Sequence, residues 1–170
     1  MKPLIIFNHG KESGPNGTKI RALSEIALNM QFEFISVDYQ GMLEPQPRID
    51  KLIKIIKAET RPVILVGSSM GSYVAIVASQ VVDVVGLFLM APAVYMPTYE
   101  HQIFTPRAKK ILLIHGWYDP IVPVANAIRF GKNHHVPTLL LKDDHVLSQS
   151  LERLCVEFKE FLTSITKLDT

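Results

Sequence analysis

The stretch VILVGSSMGSY, residues 63 to 73, decides how the rest of the chain is read. Four apolar residues of strand character run into a cluster of small residues, and Ser69 stands there with Gly67 two positions before it and Gly71 two positions after. A strand that turns sharply into a helix forces its apex residue into strained backbone and projects that side chain from the sheet edge. The packing around such a turn leaves little room beyond hydrogen at the two flanking positions, which the glycines satisfy. A helix opening near Met70 aims its free N–H groups and the positive end of its dipole at the same spot. The plainer reading is a strand that enters a helix through small residues, with Ser72 in the first turn and Ser68 a structural neighbour.

Outward from that turn, short apolar runs alternate with segments of helical period. The strand-like runs are 4–7, 32–37, 63–66, 84–90, 111–115 and 138–142. They are nearly continuous rather than alternating, the pattern of parallel strands covered on both faces. The helix-like segments are 18–30, 48–59, 70–81, 124–132 and 146–165. In the first, Ile20, Leu23, Ile26, Ala27 and Met30 share a face, and in the second Ile49, Leu52, Ile53 and Ile56 do. This alternation predicts an α/β fold with a parallel sheet and right-handed crossovers. Residues 91–110, with Pro92, Pro97 and Pro106, carry no long helix pattern. No repeat or linker divides the chain, so one α/β domain over residues 1–170 is expected.

Composition narrows the classes. With 170 residues, the chain buries roughly 70% of its unfolded surface, enough for a core without disulfides. The formal charge of +2 comes with interspersed signs, and no basic stripe points to nucleic acid. Cys155 is the single cysteine, read as a buried inert thiol, and it suits a reducing compartment. Met1-Lys2-Pro3 leads into too few apolar residues for an export signal, and the apolar stretch 84–96 is broken by Gly86 and Pro92. A cytoplasmic protein without membrane or nucleic-acid partners is the expectation.

In open parallel sheets, ligands bind beyond the carboxyl ends of the strands. The residues leaving those ends include Asn8 to Lys11, Asp38, Ser69, Asp119 and His145. A serine hydroxyl needs a base for its proton and a third group to orient the base. Of six histidines, His134 and His135 precede the last strand, and His101 lies in the irregular segment. His9 and His115 each precede a glycine at a strand exit, where a turn and a backbone hydrogen bond suffice. His145 falls in the loop after the final strand. Asp119 leaves the preceding strand, stiffened by Pro120 and Pro123, and can reach a histidine on the neighbouring loop. Asp38 exits a strand expected at the sheet edge, and Asp143 and Asp144 are too near His145 in sequence to orient it. Each residue has an ordinary role as well: Asp119 as a turn or cap residue, His145 as a surface residue of a DDH turn. Ser69, Asp119 and His145 nevertheless occur in the chain order Ser…Asp…His of one hydrolase architecture. Backbone N–H groups of Met70 and of Lys11, in the loop FNHGKESGP, are candidates for binding a developing oxyanion. That loop matches neither glycine-rich phosphate fingerprint, and no H-E-x-x-H spacing for zinc occurs, so neither cofactor nor metal is expected.

The set IIFNHG, VGSSMG, IHGWYDPIVP and DDH resembles the α/β-hydrolase superfamily nearly end to end. The short length resembles its small, lidless esterase-like members. The resemblance implies a three-layer sandwich around a six-stranded, mostly parallel sheet in the order 2-1-3-4-5-6. It also implies a triad of Ser69, Asp119 and His145, with Met70 and Lys11 as oxyanion donors. Two departures stand out: only residues 91–110 occupy the place of a helical cap, and Lys11-Glu12 replace an apolar residue of the oxyanion loop.

The expected activity is cofactor-free hydrolysis of small carboxylic esters or thioesters through an acyl-enzyme. Tyr95, Met96, Tyr99 and Phe104 either wall a shallow acyl site or pack against the core. Amide cleavage uses the same groups. A non-catalytic binding protein that kept the fold, and a phosphate- or nucleotide-binding domain, are the rival readings.

Overall fold

The computed structural model describes residues 1–167. In chain order the elements are β1 (Leu4–Asn8), α1 (Thr18–Asn29), β2 (Phe34–Val37), α2 (Pro45–Ala58), β3 (Val63–Ser68), α3 (Met70–Ser79), β4 (Val84–Met90), β5 (Ala108–Gly116), α4 (Val124–His134), β6 (Thr138–Leu141) and α5 (Leu151–Thr166). The six strands form one sheet in the order β2-β1-β3-β4-β5-β6, and every pair is parallel. The order is the expected one, and "mostly parallel" becomes wholly parallel.

Period-two alternation distributes the strand side chains between two cores. Leu4, Ile6, Val63, Leu65, Leu87 and Leu89 face α2, α3 and α4, where they meet Leu52, Val74 and Phe130. Ile5, Phe7, Ile64, Val66, Phe88 and Met90 face α1 and α5 and pack on Leu23, Phe158 and Phe161. Both faces are covered, so the strands read as unbroken apolar runs. α3 carries no polar face because it is buried along its whole length.

Three elements start three or more residues away from the sequence reading, each for a local reason. α2 begins at Pro45 because prolines suit the first helical positions, where no N–H bond is required. β5 begins at Ala108, which pairs with Val84 of β4 and lengthens the strand beyond its apolar run. α5 begins at Leu151 rather than 146. The residues before it are shaped by Asp143, whose carboxylate accepts from the Ser150 N–H, and by Leu147 in the left-handed region at φ 58°. Residues 91–107 contain turns and no helix, so no helical cap covers the sheet's carboxyl edge. Cys155 is only half-buried on α5, because it lies at the edge of the apolar stripe rather than beneath it.

Candidate active site

The β3–α3 turn is the one the glycine spacing predicts. Ser69 has φ 54° and ψ −119°, a strained combination for a residue with a side chain. The turn is held from three sides. The Ser69 N–H donates to the Met90 carbonyl at 2.9 Å, and the Ser69 carbonyl accepts from Ser72 and Ala93 amides at 3.0 and 3.2 Å. A Cβ at Gly71 would collide with the Asn8 carbonyl, and one at Gly67 would meet Ser72 Cα. The glycines therefore permit contact between β1, β3 and α3.

The three serines differ in environment. Ser72 is fully buried and donates from Oγ to the Met90 carbonyl at 3.1 Å. Ser68 closes β3 and is half-buried. Ser69 Oγ lies 2.8 Å from His145 Nε2, and His145 Nδ1 lies 2.7 Å from Asp119 Oδ2.

Two loops from adjacent strands make this meeting possible. After β5, the Trp117 N–H donates to the Leu141 carbonyl and the Tyr118 N–H to the Asp143 carbonyl, at 2.8 and 3.0 Å. Gly116 lies so close to the Asp143 and Asp144 carbonyls that a Cβ there would collide with both. The β5 exit is thereby stitched to the β6 exit, and Asp119 comes under His145. Asp143 and Asp144 build the histidine loop instead of orienting the ring: their carboxylates accept the amides of Asp144, Ser150 and Val146.

The Asp119 side chain is wholly enclosed. Its Oδ1 accepts from the Ile121 and Val122 amides, each at 2.8 Å. Burial alone would push its carboxyl upward. Hydrogen bonds from His115, His145 and the two amides outweigh that and hold it well below the usual carboxylate range. The ionised carboxylate only accepts, so His145 carries its proton on Nδ1 and presents the Nε2 lone pair to the Ser69 hydroxyl.

His115 is the group that sequence reasoning passed over. It is fully buried, and its Nε2 lies 3.0 Å from the Val122 carbonyl and 3.1 Å from Asp119 Oδ2. Both neighbours are acceptors, so the proton sits on Nε2, and Nδ1 is buried with no partner among the described residues. The expectation of a backbone bond was correct but incomplete, since the same ring also supports Asp119. The i,i+4 spacing of His115 and Asp119 was the available signal.

The loop after β1 is equally defined. Lys11 N–H donates to no group in the described residues, and Met70 opens α3, where no helical carbonyl precedes it. Gly10 backs onto the serine, with space for a Cβ only 3.5 Å from Ser69 Cβ. His9 is buried, accepts the Tyr39 N–H on Nε2 at 2.9 Å, and donates from Nδ1 to the Gly10 carbonyl at 2.7 Å.

A cleft of about 490 Å³ opens at Ser69, with Lys11, Ser13, Lys19, Ile121 and Val146 among its walls. It shares Ser13, Lys19, Ser68 and Val146 with a smaller cavity of about 240 Å³ reaching toward α1. Tyr95, Met96, Tyr99 and Phe104 are not among the walls of either. Phe104 is buried, edge-on to Tyr73 and Phe130; Tyr95 meets Phe104 edge-on, and Tyr99 lies tilted against Tyr73. Met96 packs against the same core. All four pack against the core on the α3 side of the sheet. No group of His, Cys, Asp and Glu able to hold a metal occurs among the described residues. No helix among them is long and apolar enough to cross a membrane.

A parallel sheet in this order with a serine at the β3–α3 turn is the architecture of the α/β-hydrolase superfamily. A protein of that superfamily from Xanthomonas campestris pv. campestris is 30% identical with a TM-score of 0.87, over 96% of this chain and 99% of that one. Est1E from Butyrivibrio proteoclasticus, 16% identical, has a TM-score of 0.80 over 98% of this chain and 89% of its own. Mouse alpha/beta hydrolase domain-containing protein 10 is 21% identical, with a TM-score of 0.79 over 97% and 91%. These last two share the fold. No curated protein matches the sequence. Residues 4–106 match the uncharacterised protein family UPF0227, and the chain belongs to that family within the α/β-hydrolase superfamily.

Proposed function

We propose that the protein is a serine hydrolase of small carboxylic esters or thioesters. The observation that carries this reading is His145 between Ser69 Oγ at 2.8 Å and Asp119 Oδ2 at 2.7 Å. His145 Nε2 takes the hydroxyl proton as Ser69 Oγ attacks the acyl carbon. The imidazolium that forms is stabilised by the ionised Asp119, which stays unprotonated. The oxyanion of the tetrahedral intermediate receives the Met70 and Lys11 N–H groups. His145 then gives its proton to the leaving alkoxide or thiolate, and water releases the acyl group by the same steps in reverse order of roles.

The open cleft and the absence of a helical cap support small substrates over long-chain lipids. Turnover of a p-nitrophenyl ester series and acyl thioesters, with Ser69→Ala as the control, tests the reading. Ser69→Ala is expected to lose turnover by about 10⁶-fold while remaining folded. Turnover by purified Ser69→Ala equal to that of the unaltered protein would sink the mechanism.

A further inference from the structure

Arg48 lies in the first turns of α2 and is 1% exposed, yet no carboxylate among the described residues forms an ion pair with it. A buried charge without a counter-ion is unfavourable unless dipoles replace water around it. Here the dipoles are backbone carbonyls. Nη1 donates to His9 O at 3.0 Å and to Gly10 O at 3.2 Å, and Nε donates to Met42 O at 2.7 Å. The guanidinium also lies 5.2 Å from the centre of the Tyr39 ring, a cation–π contact.

Two of those carbonyls belong to the loop that carries Lys11. In a planar trans peptide the C=O and N–H groups point in opposite directions, and every peptide bond described is trans. With the Gly10 carbonyl drawn to Arg48 and to His9 Nδ1, the Lys11 N–H of the same peptide faces the other way. Lys11 and Ser69 line the same cleft, and a Cβ at Gly10 would stand 3.5 Å from Ser69 Cβ. A positive charge at the carbonyl end also polarises the peptide so that its N–H becomes a better donor.

We infer that Arg48 is the positioning residue of the oxyanion loop: from α2 its guanidinium fixes the Gly10–Lys11 peptide and strengthens the Lys11 N–H toward the transition state. The inference rests on the serine-hydrolase reading above. It assigns Arg48 no contact with substrate, so its effect falls on the tetrahedral state and spares ground-state binding. Lysine cannot replace it, because one ammonium lacks the planar fork that reaches Met42 and the loop together.

The test measures kcat and KM on p-nitrophenyl acetate for Arg48→Met and Arg48→Lys, with melting temperature beside them. Inhibition by an alkyl trifluoromethyl ketone, which forms a tetrahedral oxyanion adduct on serine, is measured on the same proteins. Loss of the Lys11 donor's alignment is expected to lower kcat about 10- to 100-fold, within the range for one oxyanion donor, with KM nearly unchanged. The trifluoromethyl-ketone Ki should rise by the same factor as kcat/KM falls. A folded Arg48→Lys protein with unaltered kcat and Ki would overturn the inference, and if Arg48→Met does not fold, the Arg48→Lys values decide alone. A purely structural role would lower the melting temperature and leave the ratio of Ki to KM where it was, which also overturns it. The underlying reading fails separately: if Ser69→Ala retains turnover, the serine mechanism is wrong whatever the Arg48 variants do.

Discussion

The β3–α3 elbow and the β1–α1 loop face the same cleft, yet they are held by opposite means. The elbow is set by steric fit, through glycines whose missing Cβ atoms let the Asn8 carbonyl and the backbone of α3 close around Ser69. The loop is set by a polar anchor, a guanidinium from α2 that bonds the His9 and Gly10 carbonyls. Steric exclusion is all or none, whereas a polar anchor can be weakened by degrees. Substitutions in the two regions should therefore fail differently, abruptly in the elbow and gradually in the loop.

The abrupt side gives the largest effects. Gly71→Ala places a methyl against the Asn8 and His9 carbonyls, so folded protein should be lost or turnover should fall as far as in Ser69→Ala. Soluble yield and kcat check this, and a well-folded, active Gly71→Ala would show that the elbow yields. Asp119→Asn comes next. It leaves an amide where an acceptor-only carboxylate fixed the tautomer of His145, and about 10⁴-fold of kcat should go while KM stays.

The same carboxylate predicts a pH dependence of stability. Its folded pKa is depressed, so the stabilisation is fully present above the unfolded value and is lost as pH falls through that range toward the folded value. Denaturant midpoints of the unaltered protein should fall more steeply than those of Asp119→Asn between about pH 5 and pH 2. Parallel slopes would mean that the His115, His145 and amide contacts do not favour the charged form.

His115→Gln probes the smallest effect. It removes the second imidazole from Asp119 Oδ2, where Ile121 and Val122 amides and His145 continue to hold the carboxylate. A kcat loss of about fivefold corresponds to one hydrogen bond. A loss as large as that of Asp119→Asn would place His115 among the essential groups.

The same contrast explains what the sequence made legible. The elbow followed from local spacing and the candidates Ser69, Asp119 and His145 from strand exits, whereas the strand order came from the family resemblance. What escaped were contacts with no local signature. Arg48 opened the helix-like segment 48–59 with no role of its own, because its partners are carbonyls, which every residue has. His115 was read through its glycine neighbour, and its second contact with Asp119 depends on how the β5 exit curls. Tyr95 and Phe104 were ambiguous for another reason: an aromatic in an irregular segment has the same composition whether it lines a cleft or plugs a core.

In the proposed mechanism Ser69, among three close serines, is the nucleophile. Intact-mass and peptide mass spectrometry after reaction with a fluorophosphonate tests it most directly. One adduct is expected, on Ser69, absent in Ser69→Ala and in protein unfolded before the reaction. An adduct on Ser68 or Ser72, or none on a folded protein that still turns over esters, would contradict it.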